Sequence, residues 1–223
     1  MKRKVNPVRN TYLRALSKKN HQNGDVGKVS NGVKYLIGID EAGRGPLAGL
    51  VVLGAVFAPV KKTNNGILNE IRDSKKLSAR QRNKWAKIIK QNFIYKTTFI
   101  SSKIIDKVGI TKSIKIAVLR VIKKLVFENT ELYLILLDGS LKAPKIYPQQ
   151  TIIKGDEKIP LISAASIIAK TARDKKMENL HKKMPEYCFN THKGYGTRLH
   201  FEKINKFGLS VEHRKSFCRN ARI

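Results

Sequence analysis

The sequence predicts an α/β domain, a sheet of buried strands covered by helices, and three observations carry that expectation. Short apolar, partly β-branched runs recur along the chain, at Tyr35–Ile39, Leu47–Val60, Phe93–Ser101, Leu132–Leu137 and Thr151–Ile153. Between and after them lie segments whose apolar residues return every three or four positions, the mark of helices with one buried face. Glycine, proline and Asp-Gly or Asn-Gly pairs punctuate the boundaries.

Taken in order, Tyr35-Leu36-Ile37-Gly38-Ile39 reads as a buried strand that runs straight into Asp40 and Glu41. Gly43-Arg44-Gly45-Pro46 follows, a glycine-relaxed turn around one guanidinium, and then the uncharged run from Leu47 to Val60. The spacing fits an antiparallel pair. Lys61–Gly66 is a polar loop, and Ser78 is placed to N-cap a helix over Ala79–Gln91 with Trp85, Ile88 and Ile89 on one face. Lys75 and Lys76, just ahead of that helix, fit either a phosphate grip or a solvated loop.

Phe93–Ser101 alternates at period two and reads as a third strand, and Ile104–Val108 as a short helical turn ended by Gly109. Over Thr111–Glu128 the residues Ile114, Ala117, Val118, Val121, Ile122 and Leu125 form an apolar face that packs on a sheet. The last two apolar runs close on Asp138 and Asp156, each beside a glycine. Pro160 to about Lys183 is the longest helix expected, and its stripe Ser163, Ala164, Ala165, Ser166, Ala169 suits close helix-to-sheet packing. Neither serine has the G-x-S-x-G setting of a nucleophile elbow. Past Pro185 come the glycine-broken segment His192–Thr197, one more helix to Phe207 and a basic end. His192, with no base partner in sequence, reads as a loop hydrogen bond, and Asp174, beside Arg173 and four residues after Lys170, as a structural ion pair or helix contact.

The 223 residues allow one well-buried domain. With 46 Lys and Arg against 16 Asp and Glu the net charge is +30, which points to a polyanionic partner. Residues 1–34 contribute nine basic residues and one acid, so +22 remains on the body. Residues 1–33 are therefore expected to be a basic, disordered arm and 34–223 one folded domain. Two cysteines, Cys188 and Cys218, offer no zinc spacing and no disulfide framework, which fits a reducing, cytoplasmic setting. The longest uncharged run, Pro46–Val60, is too short to span a bilayer, and the basic start lacks the apolar core of a signal and the amphipathic period of a transit segment.

Chemistry concentrates in the acids. Gly38 and Gly43 have P-loop spacing, but Arg44 and Gly45 stand where that motif needs Lys and then Ser or Thr. Asp40, Glu41, Asp138 and Asp156 instead end three core strands, in a chain otherwise crowded with lysine. Like charges at close range cost stability unless cations sit between them. Four oxygen donors without His or Cys suit Mg2+ or Mn2+.

The ordered string Gly38–Gly49, Asp73–Leu77, Leu137-Asp138-Gly139, Lys154-Gly155-Asp156, Ser163–Lys170, Arg173-Asp174, His192–Thr197, His213-Arg214 and Ser216-Phe217 resembles ribonuclease HII. It runs from about residue 35 to Phe217, nearly the whole chain outside the arm. The resemblance implies a ribonuclease H-like fold, a central mixed β-sheet flanked by helices with a helical C-terminal part. It also implies endonucleolytic cleavage of RNA in RNA–DNA hybrids and at single ribonucleotides in duplex DNA, with two Mg2+ or Mn2+ ions, leaving a 3′-hydroxyl and a 5′-phosphate. By it, Asp40, Glu41, Asp138 and Asp156 match the catalytic, metal-binding acids. Gly43, Arg44 and Gly45 match the reader of the ribose 2′-hydroxyl, Tyr195 a tyrosine that stacks on the following deoxyribose, and Lys75 and Lys76 a backbone-contacting pair. Arg44 matches the HII form where the sister ribonuclease HIII carries lysine. A monomer acting on nucleic acid, with no membrane partner, is the expectation.

Two other readings fit parts of the sequence. A resolvase- or transposase-like nuclease would share the fold and metal chemistry but would not need the 2′-hydroxyl reader or Tyr195. A non-catalytic basic binding protein would leave the clustered acids without a purpose.

Overall fold

The computed structural model describes residues 33–64, 66–71, 77–125 and 132–219. The basic arm lies, up to residue 32, outside the described residues, as do Lys75 and Lys76. Five strands form the centre: β1 (Tyr35–Ala42), β2 (Val51–Pro59), β3 (Ile94–Ile100), β4 (Tyr133–Asp138) and β5 (Gln149–Ile152). Their order is β3-β2-β1-β4-β5, with β1·β2 and β2·β3 antiparallel and β1·β4 and β4·β5 parallel. This is the mixed sheet that the resemblance implies. The antiparallel pairing of the first two strands is the one the glycine-rich connection implies.

Around the sheet lie α1 (Gly66–Glu70), α2 (Ala79–Asn92), α3 (Ser102–Val108), α4 (Ile110–Lys123), α5 (Gly155–Lys158) and α6 (Pro160–Lys183), then α7 (Phe189–His192), α8 (Arg198–Phe207) and α9 (Lys215–Cys218). Ser78 caps α2 through a reciprocal capping box with Gln81, which satisfies two backbone donors at once. Gly109, at φ 79°, ends α3 and starts α4 in a conformation that a Cβ would disfavour. Helix α4 is thereby set to begin at Ile110. It runs to Lys123 and is capped at Lys124, so the expected Thr111–Glu128 helix ends earlier than the sequence suggests, Lys124 and Leu125 forming a turn, while residues 126–128 lie outside the described residues.

Alternation along the strands splits the core in two. Ile37, Ile39, Ile135 and Leu137 pack with Ile105, Ile114, Val118, Val121 and Ile122 of α3 and α4. On the other face Leu36, Leu134 and Leu136 pack with Ala86 and Ile89 of α2 and with Leu161, Ala164, Ala165 and Ile168 of α6. Helix α6 lies unusually close to the sheet. A methyl group at Gly38 would overlap the Leu161 carbonyl, and one at Gly54 the Ala165 carbonyl. The small-residue stripe therefore serves close packing, as its composition predicts. Among the described residues no helix is long and apolar enough to cross a membrane.

The C-terminal part is mostly helical and closes on a small core of Ala48, Met177, Tyr187 and Phe189. Its last segment returns to the centre. His213 bridges Ala48, Gly49 N–H donates to Glu212 (2.8 Å), and Arg214 N–H donates to the Leu47 carbonyl (2.7 Å).

Candidate active site

Register decides how the acids meet. Ile39 lies level with Leu137 in the parallel β1·β4 pair, so Asp40 and Asp138 sit side by side at adjoining C-terminal strand ends. Strand β1 extends through Ala42 because Glu41 and Ala42 still pair with Leu53 and Val52. The two acids thus belong to the strand instead of following it. Parity puts Asp40 and Asp138 on the face covered by α6, and Glu41 on the opposite one.

Asp156 does not end a strand as the sequence suggests; it lies on α5, four residues beyond the end of β5, and is buried, because the chain turns a corner at Lys154. The Asp138 Oδ1 atom accepts from the Gly155 N–H at 2.6 Å and the Asp156 N–H at 3.3 Å, which ties the β4 acid to the start of α5. Lys154 adopts the left-handed region at φ 55° to make that corner.

Burial pushes the Asp40 carboxyl up to about 7; a hydrogen bond from the Ser166 hydroxyl opposes the rise, and the Glu41 and Asp138 charges add to it. Glu41 is also raised, first by burial, with Arg44 opposing and Asp138 adding. Ser166, part of the packing stripe, thus also touches an acid, a contact that its place in an alanine-rich helix did not announce. The three acids feel one another's charge, which is the condition that bound cations relieve. Among the described residues no three His, Cys, Asp or Glu side chains are already gathered as a metal-holding cluster. The donor set is all oxygen and fits a hard divalent ion.

Beside the acids opens a cleft of roughly 930 Å³, lined in part by Glu41, Gly43, Arg44, Gly45, Lys170 and Tyr195. Five sequence-predicted residues therefore share one cavity. Arg44 reaches back over the acids, 3.7 Å from Glu41 and donating to Ser140 Oγ at 3.1 Å. Arg82, Lys175 and Lys193 add positive charge to the walls. Asp174 also lines the cleft and makes an ion pair, as expected, but its partner is Arg82 of α2 at 3.3 Å.

Tyr195, half exposed, stands on a turn held from several sides. Leu47 N–H donates to the Gly194 carbonyl at 2.8 Å, joining this turn to the segment after Pro46. The buried Arg173 donates to the carbonyls of Leu50 (3.0 Å) and Lys193 (2.9 Å), and its guanidinium lies 5.6 Å from the Tyr195 ring. Beneath the turn three histidines pack together. His192 Nδ1 accepts from the Gly194 N–H (3.1 Å), so its Nε2–H donates to the Tyr187 carbonyl (2.7 Å), the loop hydrogen bond that the sequence suggests. His200 Nδ1–H donates to the Tyr195 carbonyl (2.9 Å), leaving its Nε2 to accept from His213 Nε2–H (3.1 Å). His213 Nδ1 then accepts from the Ser210 N–H at 2.9 Å. Every ring nitrogen is used, and all three rings are neutral. Burial holds His192 below its ordinary range and brings His200 and His213 down to about 4.

The sequence reading placed Arg173 and Arg214 in its motif string but gave neither arginine a contact, and both are buried. Arg214 is wholly buried and donates to the carbonyls of Gly43 (2.7 Å), Arg44 (2.9 Å) and Gly49 (2.9 Å). Their acceptors are carbonyls distant in sequence, which no local pattern reveals.

Known proteins resemble the chain in sequence and in fold. The family profile described as Ribonuclease HII matches residues 37–220. A "Ribonuclease HII" of Caldicellulosiruptor bescii is 40% identical over 194 residues, 86% of this chain and 90% of that protein. The solved ribonuclease H2 of Pyrococcus horikoshii OT3 superposes with a TM-score of 0.66 at 27% identity, over 82% of this chain and 93% of that one. Bst-RNase HIII, solved in complex with Mn2+, shares the fold at a TM-score of 0.67 and 19% identity, over 83% of this chain and 67% of its own. With a family match from Ile37 to Asn220, a relative 40% identical over most of both chains and a fold shared with a solved ribonuclease H2, the chain belongs to the ribonuclease HII family and is a ribonuclease H endonuclease.

Proposed function

We propose that this endonuclease cuts the RNA strand of RNA–DNA hybrids and the 5′ side of a single ribonucleotide in duplex DNA, leaving a 3′-hydroxyl and a 5′-phosphate. Removing ribonucleotides from DNA and removing RNA primers are the roles such an activity serves. The observation that carries the reading is the shared cleft, lined by the acid Glu41, the Gly43–Gly45 turn and Tyr195 together.

Asp40, Glu41, Asp138 and Asp156 are the residues that would hold Mg2+ or Mn2+, two ions being expected. When bound, such ions activate a water and steady the leaving oxygen of the phosphodiester. The chain's own part is to bring Asp40 and Asp138 together at adjoining strand ends, with Asp156 tied to Asp138 from the start of α5, and to hold a ribose beside them. Distinguishing ribose from deoxyribose needs hydrogen-bonding groups on the 2′-hydroxyl at close range. Gly45 supports that role, because a methyl group there would meet nothing in the protein, so the bare edge is open to a sugar. Tyr195 would stack on the deoxyribose that follows, with Arg173 behind its ring. The basic walls and the +30 charge supply attraction to the phosphates of the duplex. Lys75 and Lys76, and the N-terminal arm, would add to it.

The test is cleavage of a labelled DNA duplex carrying one ribonucleotide, with Mg2+ or Mn2+, beside an all-DNA duplex and an Asp138→Asn variant. A single cut on the 5′ side of the ribonucleotide, absent in the other two, is the expected result. Equal cutting of both duplexes would point to a resolvase-like nuclease, and tight binding without metal-dependent cutting to a binding protein.

A further inference from the structure

The Gly43–Gly45 turn carries one side chain, that of Arg44, which is directed to Glu41 and Ser140 and not to the turn's own carbonyls, yet the turn's shape has to be set to within a hydrogen bond's tolerance if it reads a hydroxyl. Arg214 comes from the other end of the chain, on the segment that runs back along Leu47–Gly49. Its guanidinium is fully buried, and its Nη2 and Nη1 donate to two successive carbonyls, those of Gly43 and Arg44, while Nε donates to Gly49.

A trans peptide unit is planar, with its C=O and N–H pointing in opposite directions. Pulling the Gly43 and Arg44 carbonyls inward onto Arg214 therefore turns the Arg44 and Gly45 N–H groups outward. Arg44 and Gly45 are exposed and line the cleft. Neither N–H takes part in the backbone hydrogen bonds of the described residues. Gly43 permits the turn with φ 90°, and a methyl group there would overlap Arg173.

We infer that Arg214 is a positioning residue for substrate selection, a buried fork that presents the Arg44 and Gly45 N–H groups together as a donor pair for the ribose 2′-hydroxyl. The inference rests on the reading of Gly43–Gly45 as the ribose reader and names the part that sets it. Planarity explains why arginine stands there. A guanidinium donates along several fixed directions in one plane, whereas a lysine ammonium at the same point could grip one carbonyl well and would release the others. The segment is itself anchored from outside the cleft. Asp106 of α3 accepts from the Lys215 N–H (2.9 Å), the Ser216 N–H (3.0 Å) and the Ser216 hydroxyl (2.6 Å), immediately after Arg214.

The test is equilibrium binding, with Ca2+ in place of the cleaving metal, of two fluorescent DNA duplexes that differ only in one 2′-hydroxyl. The wild type should prefer the ribonucleotide duplex, and Arg214→Lys should lose roughly tenfold of that preference while binding the all-DNA duplex unchanged, as loss of oriented hydrogen bonds implies. A role confined to folding would lower the melting temperature and the active fraction but leave the preference of the folded fraction intact, and that result overturns the inference. If Arg214→Lys does not fold, Asp106→Ala decides: a partial loss of preference supports the inference, and full retention overturns it. A wild type without any preference would overturn the ribose-reader reading itself, which separates the two failures.

Discussion

Asp138 is the side chain whose loss is cleanest to interpret. Asn keeps an Oδ1 acceptor for the Gly155 and Asp156 N–H groups, so Asp138→Asn removes charge with little change in shape. Cleavage is expected to fall by roughly 100-fold or more, at least the loss seen when groups supporting a metal site are removed. In the same variant the rise in melting temperature that Mg2+ or Mn2+ gives the wild type should shrink, because stabilisation by a ligand follows its affinity for the folded state. A melting curve with and without metal reads this without any substrate. The two glycines of the turn make an opposite pair. Gly45→Ala should leave stability within about 1 kcal/mol of wild type and weaken recognition of the ribonucleotide, since only open space meets the new methyl group. Gly43→Ala should cost stability itself, roughly 2 kcal/mol or more, because its φ of 90° and the Arg173 side chain both oppose a Cβ. Denaturant melts of the two variants set against their duplex affinities would separate these effects.

Among the elements, α6 is the one on which the site leans. It covers the face bearing Asp40 and Asp138, supplies Ser166 to Asp40 and Arg173 to the Tyr195 turn, and packs so closely that Gly54 faces the Ala165 carbonyl directly. Gly54→Ala is expected to lose about 2–3 kcal/mol through overpacking, read as a lower denaturant midpoint, with α6 displaced from the acids and activity falling along with stability. The turn from Gly194 to Thr197 depends instead on neutral histidines. His200 and His213 lie at about 4 in the folded protein against an ordinary value of 6.5. The unfolded chain therefore binds more protons between those values, so their contribution to stability is complete above about 6.5 and lost as pH falls towards 4. Asp40, raised to about 7, acts in the other direction over the same range, gaining stability as it protonates. The histidine share is thus the difference between wild type and a His200→Gln variant. Melting temperatures measured from pH 7 to pH 4 should fall more steeply in the wild type, and parallel curves would remove the histidines from the account.

For the molecule as a whole, charge governs encounter. With +30 overall and Arg44, Arg82, Lys170, Lys175 and Lys193 around the cleft, duplex binding should release many counterions. If six or more phosphates are neutralised, affinity should drop by about a thousandfold or more between ~50 and ~200 mM salt, linearly in logarithmic terms. A fluorescence titration across that range checks it, and a flat response would deny the basic surface its role. The ribonucleotide preference, set by hydrogen bonds at short range, should change far less over the same salt series.

Much of this was legible before any coordinates. The continuous apolar runs Tyr35–Ile39 and Leu132–Leu137 called for strands, the spacing of Ile114 to Val121 for a helix, and Ser78 and Gly109 for its neighbours' boundaries, because each signal is local to one element. Asp40, Glu41, Asp138, Asp156, the Gly43–Gly45 turn and Tyr195 stood out as candidates, since chemistry-bearing residues and glycines are conspicuous in so basic a chain, and Glu41, Gly43, Arg44, Gly45 and Tyr195 line one cleft. What stayed hidden depends on distance along the chain. The parallel register that sets Asp40 beside Asp138, the contact of Ser166 with Asp40, the Arg82 partner of Asp174, and the buried forks of Arg173 and Arg214 join residues far apart in sequence. A sequence determines which segments must be strand, helix or turn, and which side chains carry charge and chemistry. Which backbone carbonyls a buried arginine meets, and therefore which way a glycine turn faces, follows only from how those segments pack, because long-range contacts leave no period in the chain that makes them.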